Sequence, residues 1–353
     1  MKKLLIIIMF IAFFLGLNHP KLKNYDENTN ISNEEMANSE TDLLNSTIKI
    51  TAVGDCTLAT DVNYGGSGSF VNELSNQNND YTYFFRNVKE IFENDDLTIV
   101  NFEGVLSENG SRADKQFAFR GNPEFVNILT SSSVEGANLA NNHTKDYGLT
   151  AFQDTKDILA ENNIVAFEGV DTAIFHANGI KVGMIGINVL NDTHRGLFDE
   201  AMENIKSKEP DLIVVSFHWG IERATSPSDI QKEYAYKAID SGADLVIGHH
   251  PHVLQGIEKY NGKYILYSLG NFCFGGNKNS SDKDTMIFQQ TFTFENGKLL
   301  DDDNILITPC SISSVKNRNN YQPTILTGTE YERVKEKIIK RSGVISDLEL
   351  KFS

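Results

Sequence analysis

The stretch Ala243-Asp244-Leu245-Val246-Ile247-Gly248-His249-His250-Pro251-His252 packs three of the eight histidines against the end of an apolar run. The run lies between Gly242 and Gly248 and predicts a short buried strand. Histidines bunched where a strand gives way to a loop suit metal binding, because neutral imidazole nitrogen is a good ligand for zinc, manganese or iron. His250 and His252 are alternate residues, so in an extended segment both side chains face the same way. Pro251 favours that geometry by fixing its own φ and biasing the residue before it. One such pair cannot fill a coordination sphere, so further ligands must come from elsewhere in the chain.

Working outward, strand-like runs end repeatedly in polar residues of ligand type. Thr47–Val53 runs into Gly54-Asp55, and Leu97–Val100 into Asn101-Phe102-Glu103. Val134–Ala140 leads to Asn141-Asn142-His143 and then Asp146-Tyr147-Gly148, and Asp211–Phe217 to His218-Trp219-Gly220. Tyr264–Leu269 leads to Gly270-Asn271-Phe272. Helical patterns fall over Tyr83–Glu93, Pro123–Leu129, a segment after Gly148 carrying Phe152, Ile158 and Leu159, Ala201–Lys208 and Ile230–Ser241. Ile180–Ile187 adds a strand, and Phe288–Phe294 alternates as an edge-type strand before Glu295-Asn296-Gly297. This alternation predicts an α/β fold with a largely central sheet.

In open α/β sheets, sites lie at the carboxyl ends of strands. Asp55, Glu103, Asn142, His143, His218, His250 and His252 all fall there. Each alone has an ordinary explanation, such as an Asp capping a turn or a satisfied rim histidine. Together they point to a metal site. His19, His176 and His194 lie outside such contexts and are expected at the surface.

The chain has 353 residues and a formal charge of −16. That length holds one large domain or two modest ones, and the charge argues against a nucleic-acid binder, which needs a basic face. Phosphate chemistry on such a surface would need local metal charge. Lys2 and Lys3 precede an apolar run to Leu17, which predicts a signal peptide or membrane anchor over residues 1–17. Residues 18–46 are polar enough for a disordered tether. A single domain is expected over 47–310, then a C-terminal helix (Glu330–Lys340) and tail over 311–353. Either N-terminal reading places the domain outside the cytoplasm. Cys56, Cys273 and Cys310 are too few for a disulfide framework; a Cys56–Cys273 bridge and buried free thiols both remain open.

The ordered motifs Gly54-Asp55, Asn101-Phe102-Glu103, Asn141-Asn142-His143 with Asp146-Tyr147-Gly148, His218-Trp219-Gly220, Gly248–His252 and Tyr267–Phe272 resemble the CapA family. These are capsule, or poly-γ-glutamate, biosynthesis proteins related to the calcineurin-like metallophosphoesterases. The resemblance covers roughly Ile48 to Phe274. It implies a four-layer α/β/β/α sandwich of the metallophosphoesterase type, with one or two divalent metal ions (Mn, Zn or Fe) at one edge of the paired sheets. It also implies anchoring on the outer face of the membrane.

Carried over by position, Asp55 resembles the first metal ligand and Glu103 stands where the superfamily has a bridging aspartate. Asn142 resembles a ligand of the second metal, with His218 and His250, and His252 would serve the first. His143 would be the proton donor or transition-state stabiliser, oriented by Asp146. His249 is an alternative ligand, and Asn101, Trp219 and Asn271 are expected in the pocket. Two departures stand out: the superfamily's opening Asp-x-His is Asp55-Cys56-Thr57 here, and the bridging aspartate is the longer Glu103. The resemblance implies a protein of capsule or poly-γ-glutamate biosynthesis or export with a metal site of the metallophosphoesterase type at the sheet edge. The alternatives are an extracytoplasmic metal-dependent phosphoesterase acting on a cell-envelope substrate, and a noncatalytic assembly component of a membrane-bound polymer synthase. An anionic polymer would need metal ions or a local basic patch to bridge it; Lys259, Lys263 and Lys278 are candidates for such a patch.

Overall fold

The strand Asn45–Thr57 is the axis of the larger sheet. Its first part runs antiparallel to Asp284–Glu295, from Asn45 opposite Glu295 to Ala52 opposite Phe288. On its other side it runs parallel to Leu97–Phe102. Near its end Asn271–Phe274 pairs with it in parallel, Asp55 opposite Asn271. The computed structural model describes residues 45–300, 303–345 and 348–353. The expected anchor and the tether up to residue 44 lie outside the described residues. The strand begins two residues before the expected start at Thr47, because Asn45 and Ser46 continue the ladder with Glu295 and Phe294.

The main path of this sheet is Thr324–Ile325, Ile305–Ser311, Asp284–Glu295, Asn45–Thr57, Leu97–Phe102, Gly136–Asn138 and Val165–Phe167. Asp284–Glu295 is therefore an interior strand, not the edge strand expected from its alternation. The second sheet runs Ile257–Tyr260, Lys263–Leu266, Leu245–His249, Leu212–His218, Ile180–Asn188 and Ala173–Ala177. Ile48, Ile50, Ala52, Leu97 and Ile99 from one sheet meet Val182, Met184, Leu212, Val214, Leu245 and Ile247 from the other in the central core. The alternate residues build two outer cores. Val53, Val100 and Phe102 pack with Phe84, Phe85, Ile128 and Leu159. Ile213, Val215 and Phe217 pack with Phe198, Ala201, Ala235 and Ala238 of the helices Leu197–Lys206 and Asp229–Asp240. Helix, sheet, sheet, helix is the layering expected of the metallophosphoesterase type.

Three local expectations need correcting. Tyr83–Glu93 is mostly turn, with helix only over Lys89–Glu93. The domain does not stop near Cys310: Tyr321 is buried in the first outer core. The C-terminal helix Gly328–Gly343 buries Val334 and Ile338 in the central core, so its apolar stripe is a packing face of the domain. All three cysteines are free and buried. Among the described residues no helix is long and apolar enough to cross a membrane.

Ile338 is fully buried. Ile338→Ala should lower unfolding stability by about 2–5 kcal/mol, the usual cost of emptying such a site. Urea unfolding measures it; an unchanged midpoint would place the helix outside the cooperative unit.

Candidate metal centre

The inner faces of the two sheets change character along their length. Alternation carries the apolar faces at Ile99, Val214 and Ile247 on to Asn101, Ser216, His218 and His249. Asp55 joins them through a register shift between Ala52 and Asp55 that inserts a residue into the pairing with Leu97–Phe102. Asp55 thereby comes opposite Asn101 on one side and Asn271 on the other. Gly54 makes this packing possible, since a Cβ there would lie 2.1 Å from Gly270 O.

Asp55 and Glu103 are both buried. The Asn101 amide bridges them, Nδ2 donating to Asp55 Oδ1 at 2.9 Å and Glu103 Oε1 at 3.0 Å. Asn138 Nδ2 in turn donates to Asn101 Oδ1 at 3.0 Å. Burial opposes ionisation of Asp55, but the His249 and His252 imidazoles outweigh it and hold the carboxyl well below the usual range. Burial and the Asp55 charge push Glu103 up to about 8. Burial, aided by His250, keeps His218 neutral well below the ordinary imidazole range.

Among the described residues, two sets of ligand-type atoms each lie within 4.8 Å of one another: Asp55, Glu103 and His218, and Glu222, His250 and His252. The sets adjoin, with His252 Nδ1 3.0 Å from Asp55 Oδ2. The expected neighbours His218 and His250 also lie together across the two sets, their ring centroids 4.7 Å apart. His249 pairs in register with His218 at the ends of adjacent strands. Beyond it the chain leaves the extended path: His250 has φ +95° and His252 φ +57°. Pro251 therefore does not hold an extended His-x-His segment. Left-handed backbone at two non-glycine residues is a local strain of about 1–3 kcal/mol each, sustained by the surrounding packing.

The donor set fits a divalent ion. Glu103 Oε2, His249 Nε2 and His250 Nδ1 are buried without a hydrogen-bond partner, while His249 Nδ1 lies 3.3 Å from Asp55 Oδ1. Such orphaned acceptors and imidazoles are costly unless something cationic satisfies them. Asn142 Oδ1 accepts from His218 Nε2 at 2.9 Å, so Asn142 also reaches the centre.

His143 lies beside this centre. Its Nδ1 is 2.7 Å from Asp146 Oδ2, which fixes the proton on Nδ1 and leaves Nε2 for the cleft. Asp146 also accepts from Lys115 Nζ at 2.8 Å and from the Phe119 backbone at 2.6 Å. Burial holds the His143 imidazole below its ordinary range despite the Asp146 carboxylate. The adjoining cleft is lined by His143, His252, Asn271, Glu222, Arg223 and the rings of Phe117, Phe119 and Phe274.

Asn271 lines the cleft, its Oδ1 2.9 Å from His252 Nδ1. Asn101 is an internal bridge instead of a pocket residue. Trp219 does not line the pocket: it is fully buried, stacks on Phe217 and donates from Nε1 to Tyr267 O at 2.9 Å. Strand parity forces this, because Trp219 follows an inward-facing His218. Lys259, Lys263 and Lys278 form no basic patch at the centre. Lys259 pairs with Asp303 and Lys263 with Asp244 at the start of its strand, while Lys278 Nζ ties down Gly65 O at 2.8 Å. Thr57, in the place of the missing histidine, is buried with Oγ1 unpartnered.

Three functional residues escape sequence reasoning. Asn138 could have been found by extending the parity of its strand. Lys115 and Glu222 sit in loops with no periodicity to locate them.

The layering and the metal-type edge define a class, and comparison with known proteins supplies the family. Residues 49–276 match the family model "Bacterial capsule synthesis protein PGA_cap", and the chain belongs to this family. It is 33% identical over 258 residues to the capsule biosynthesis protein CapA of Bacillus anthracis, covering 65% of this chain and 60% of that one. It is 33% identical over 215 residues to the PGA biosynthesis protein CapA of Bacillus subtilis, covering 54% and 56%. The chain thus spans under two thirds of these relatives. A 5'-nucleotidase structure from Candida albicans aligns with TM-score 0.40 and 12% identity, over 83% of this chain and 57% of that one.

In the ion-free protein the buried groups set a pH dependence. Glu103, raised from 4.5 to about 8, and His252, raised from 6.5 to about 9 against burial by the Glu103 and Asp55 charges, bind protons more tightly when folded. Their stabilisation is lost as pH rises through those values. His250, lowered by burial from 6.5 to about 4, works oppositely, and its contribution is lost as pH falls through that window. Melting of chelator-treated protein should therefore peak near about pH 6.5 and decline toward about pH 9. A melting temperature that climbs across that alkaline range would contradict this assignment.

Proposed function

We propose that this chain serves in the assembly or export of an anionic capsule polymer of the poly-γ-glutamate type, through metal-dependent hydrolysis of a phosphoester in the cell envelope. We further propose that residues 1–17 hold it at the outer face of the membrane, near the polymer synthase. The observation that carries the reading is the convergence of Asp55, Glu103, His218, His250 and His252 beside the His143–Asp146 pair. The family relationship and the names of the relatives, a PGA biosynthesis protein and a capsule biosynthesis protein, support the polymer context.

Asp55, Glu103, His218, His250 and His252, with Asn142 and Glu222, would hold one or two divalent ions. When bound, such an ion supplies Lewis acidity toward a phosphoryl oxygen and makes water a nucleophile near neutral pH. His143, held by Asp146, presents Nε2 to the cleft and, in the imidazolium form that the Asp146 carboxylate favours, is placed to protonate a leaving oxygen. Lys115 balances the Asp146 charge. Phe119 and Phe274 pack against His143 and His252 and limit water around them.

A second reading, a noncatalytic assembly component, is favoured by Thr57, whose hydroxyl cannot replace an imidazole ligand. Metal analysis of the purified chain separates the two, alongside a variant carrying His250→Ala and His252→Ala. The expected result is one to two ions per chain, reduced in the variant, with phosphoester turnover that chelation abolishes. No bound metal after reconstitution with manganese or zinc would overturn the catalytic reading.

A further inference from the structure

The cleft beside the metal centre has a mixed lining. Its polar part includes Asn271, Asn277, Ser280 and Arg223, with Glu222 beside His250 and His252 and with Asp282 paired to Lys337. Arg223 is exposed and takes part in none of the ion pairs among the described residues, so its guanidinium complements an anionic group. Its aromatic part continues as a row of ring contacts. Phe119 lies 4.5 Å from the His143 ring, Phe117 is 6.4 Å from Phe119 and nearly parallel to it at 9°, and Tyr64 is 5.2 Å from Phe117. The strip begins buried and ends in solvent: Phe119 is 3% exposed, Phe117 37% and Tyr64 49%. Adjoining apolar side chains left in water at the mouth of a polar site mark a surface that a ligand covers.

We propose that this cleft takes a phosphate carried on a long hydrocarbon chain, the phosphate lying toward the His143 and His252 edge and the chain along Phe119, Phe117 and Tyr64. The inference rests on the phosphoester reading above and names its substrate class. Continuity with the reacting edge supports the occupant, because Phe119 packs on His143 and Phe274 lies 5.0 Å from His252. The length of the strip favours a chain over a single flat ring. A ring would cover one of the aromatics, whereas each added methylene of a chain buries more of the row.

The test compares binding of inorganic phosphate and hexyl phosphate to the manganese-loaded full chain by calorimetry. The wild type should bind hexyl phosphate at least about tenfold more tightly than phosphate, from apolar burial. A variant with Tyr64→Ser and Phe117→Ser should lose most of that gain and keep its phosphate affinity. Both positions are exposed enough for the fold to survive, and melting checks this. Ile325→Ser, an exposed apolar position 36% accessible and outside the cleft lining, should leave the gain intact. Phosphate binding with no gain from the hexyl group, or a gain that persists in the double variant, overturns the inference and leaves the phosphoester reading standing. Failure of both ligands to bind the metal-loaded chain overturns the two together.

Discussion

Two carboxylates buried side by side, bridged by one amide, are the constraint on which the rest of this structure depends. Asp55 and Glu103 both touch Asn101 Nδ2, at 2.9 and 3.0 Å, deep between the sheets. Two like charges in such a place repel and are poorly solvated, so the fold must surround them with positive partners or leave one protonated. It does both. His249 and His252 hold Asp55 ionised, while Glu103 is pushed toward its neutral form. A divalent ion resolves the same conflict more completely, which ties the electrostatics of the folded chain to its chemistry.

The backbone serves this arrangement at visible cost. The register shift that turns Asp55 inward requires Gly54, because any side chain there meets Gly270. The loop after Leu245–His249 carries left-handed histidines at 250 and 252. The apolar central core, closed by Val334 and Ile338 of the C-terminal helix, supplies the rigidity that maintains both. Stability and site are therefore arranged along one axis, apolar where the strands begin and polar where they end.

The loops add what the sheets cannot. Lys115, Glu222 and Arg223 come from connecting segments, and so does the aromatic strip from Tyr64 to Phe119. Strands place ligands with little freedom, since period and register fix direction. Loops then set which groups lie beside the ligands, and so what reaches them.

The sequence by itself determined the α/β alternation and the strand-end placement of Asp55, Glu103, His218 and the histidine cluster, because those follow from local period and the position of polar residues after apolar runs. Parity within one strand also contained the inward direction of His218, and with it the burial of Trp219. Tertiary structure decided the rest. Whether Asp284–Glu295 is an edge depends on a partner, Ile305–Ser311, that pairs with it from the other side. The turn of Asp55 toward Asn101 depends on a register shift between two strands some 46 residues apart. The grouping of His250 with Glu222, and of His218 with Glu103, depends on left-handed backbone and loop closure. These are pairings between distant segments, and no local pattern encodes the distance between two side chains that meet only when both sheets have formed.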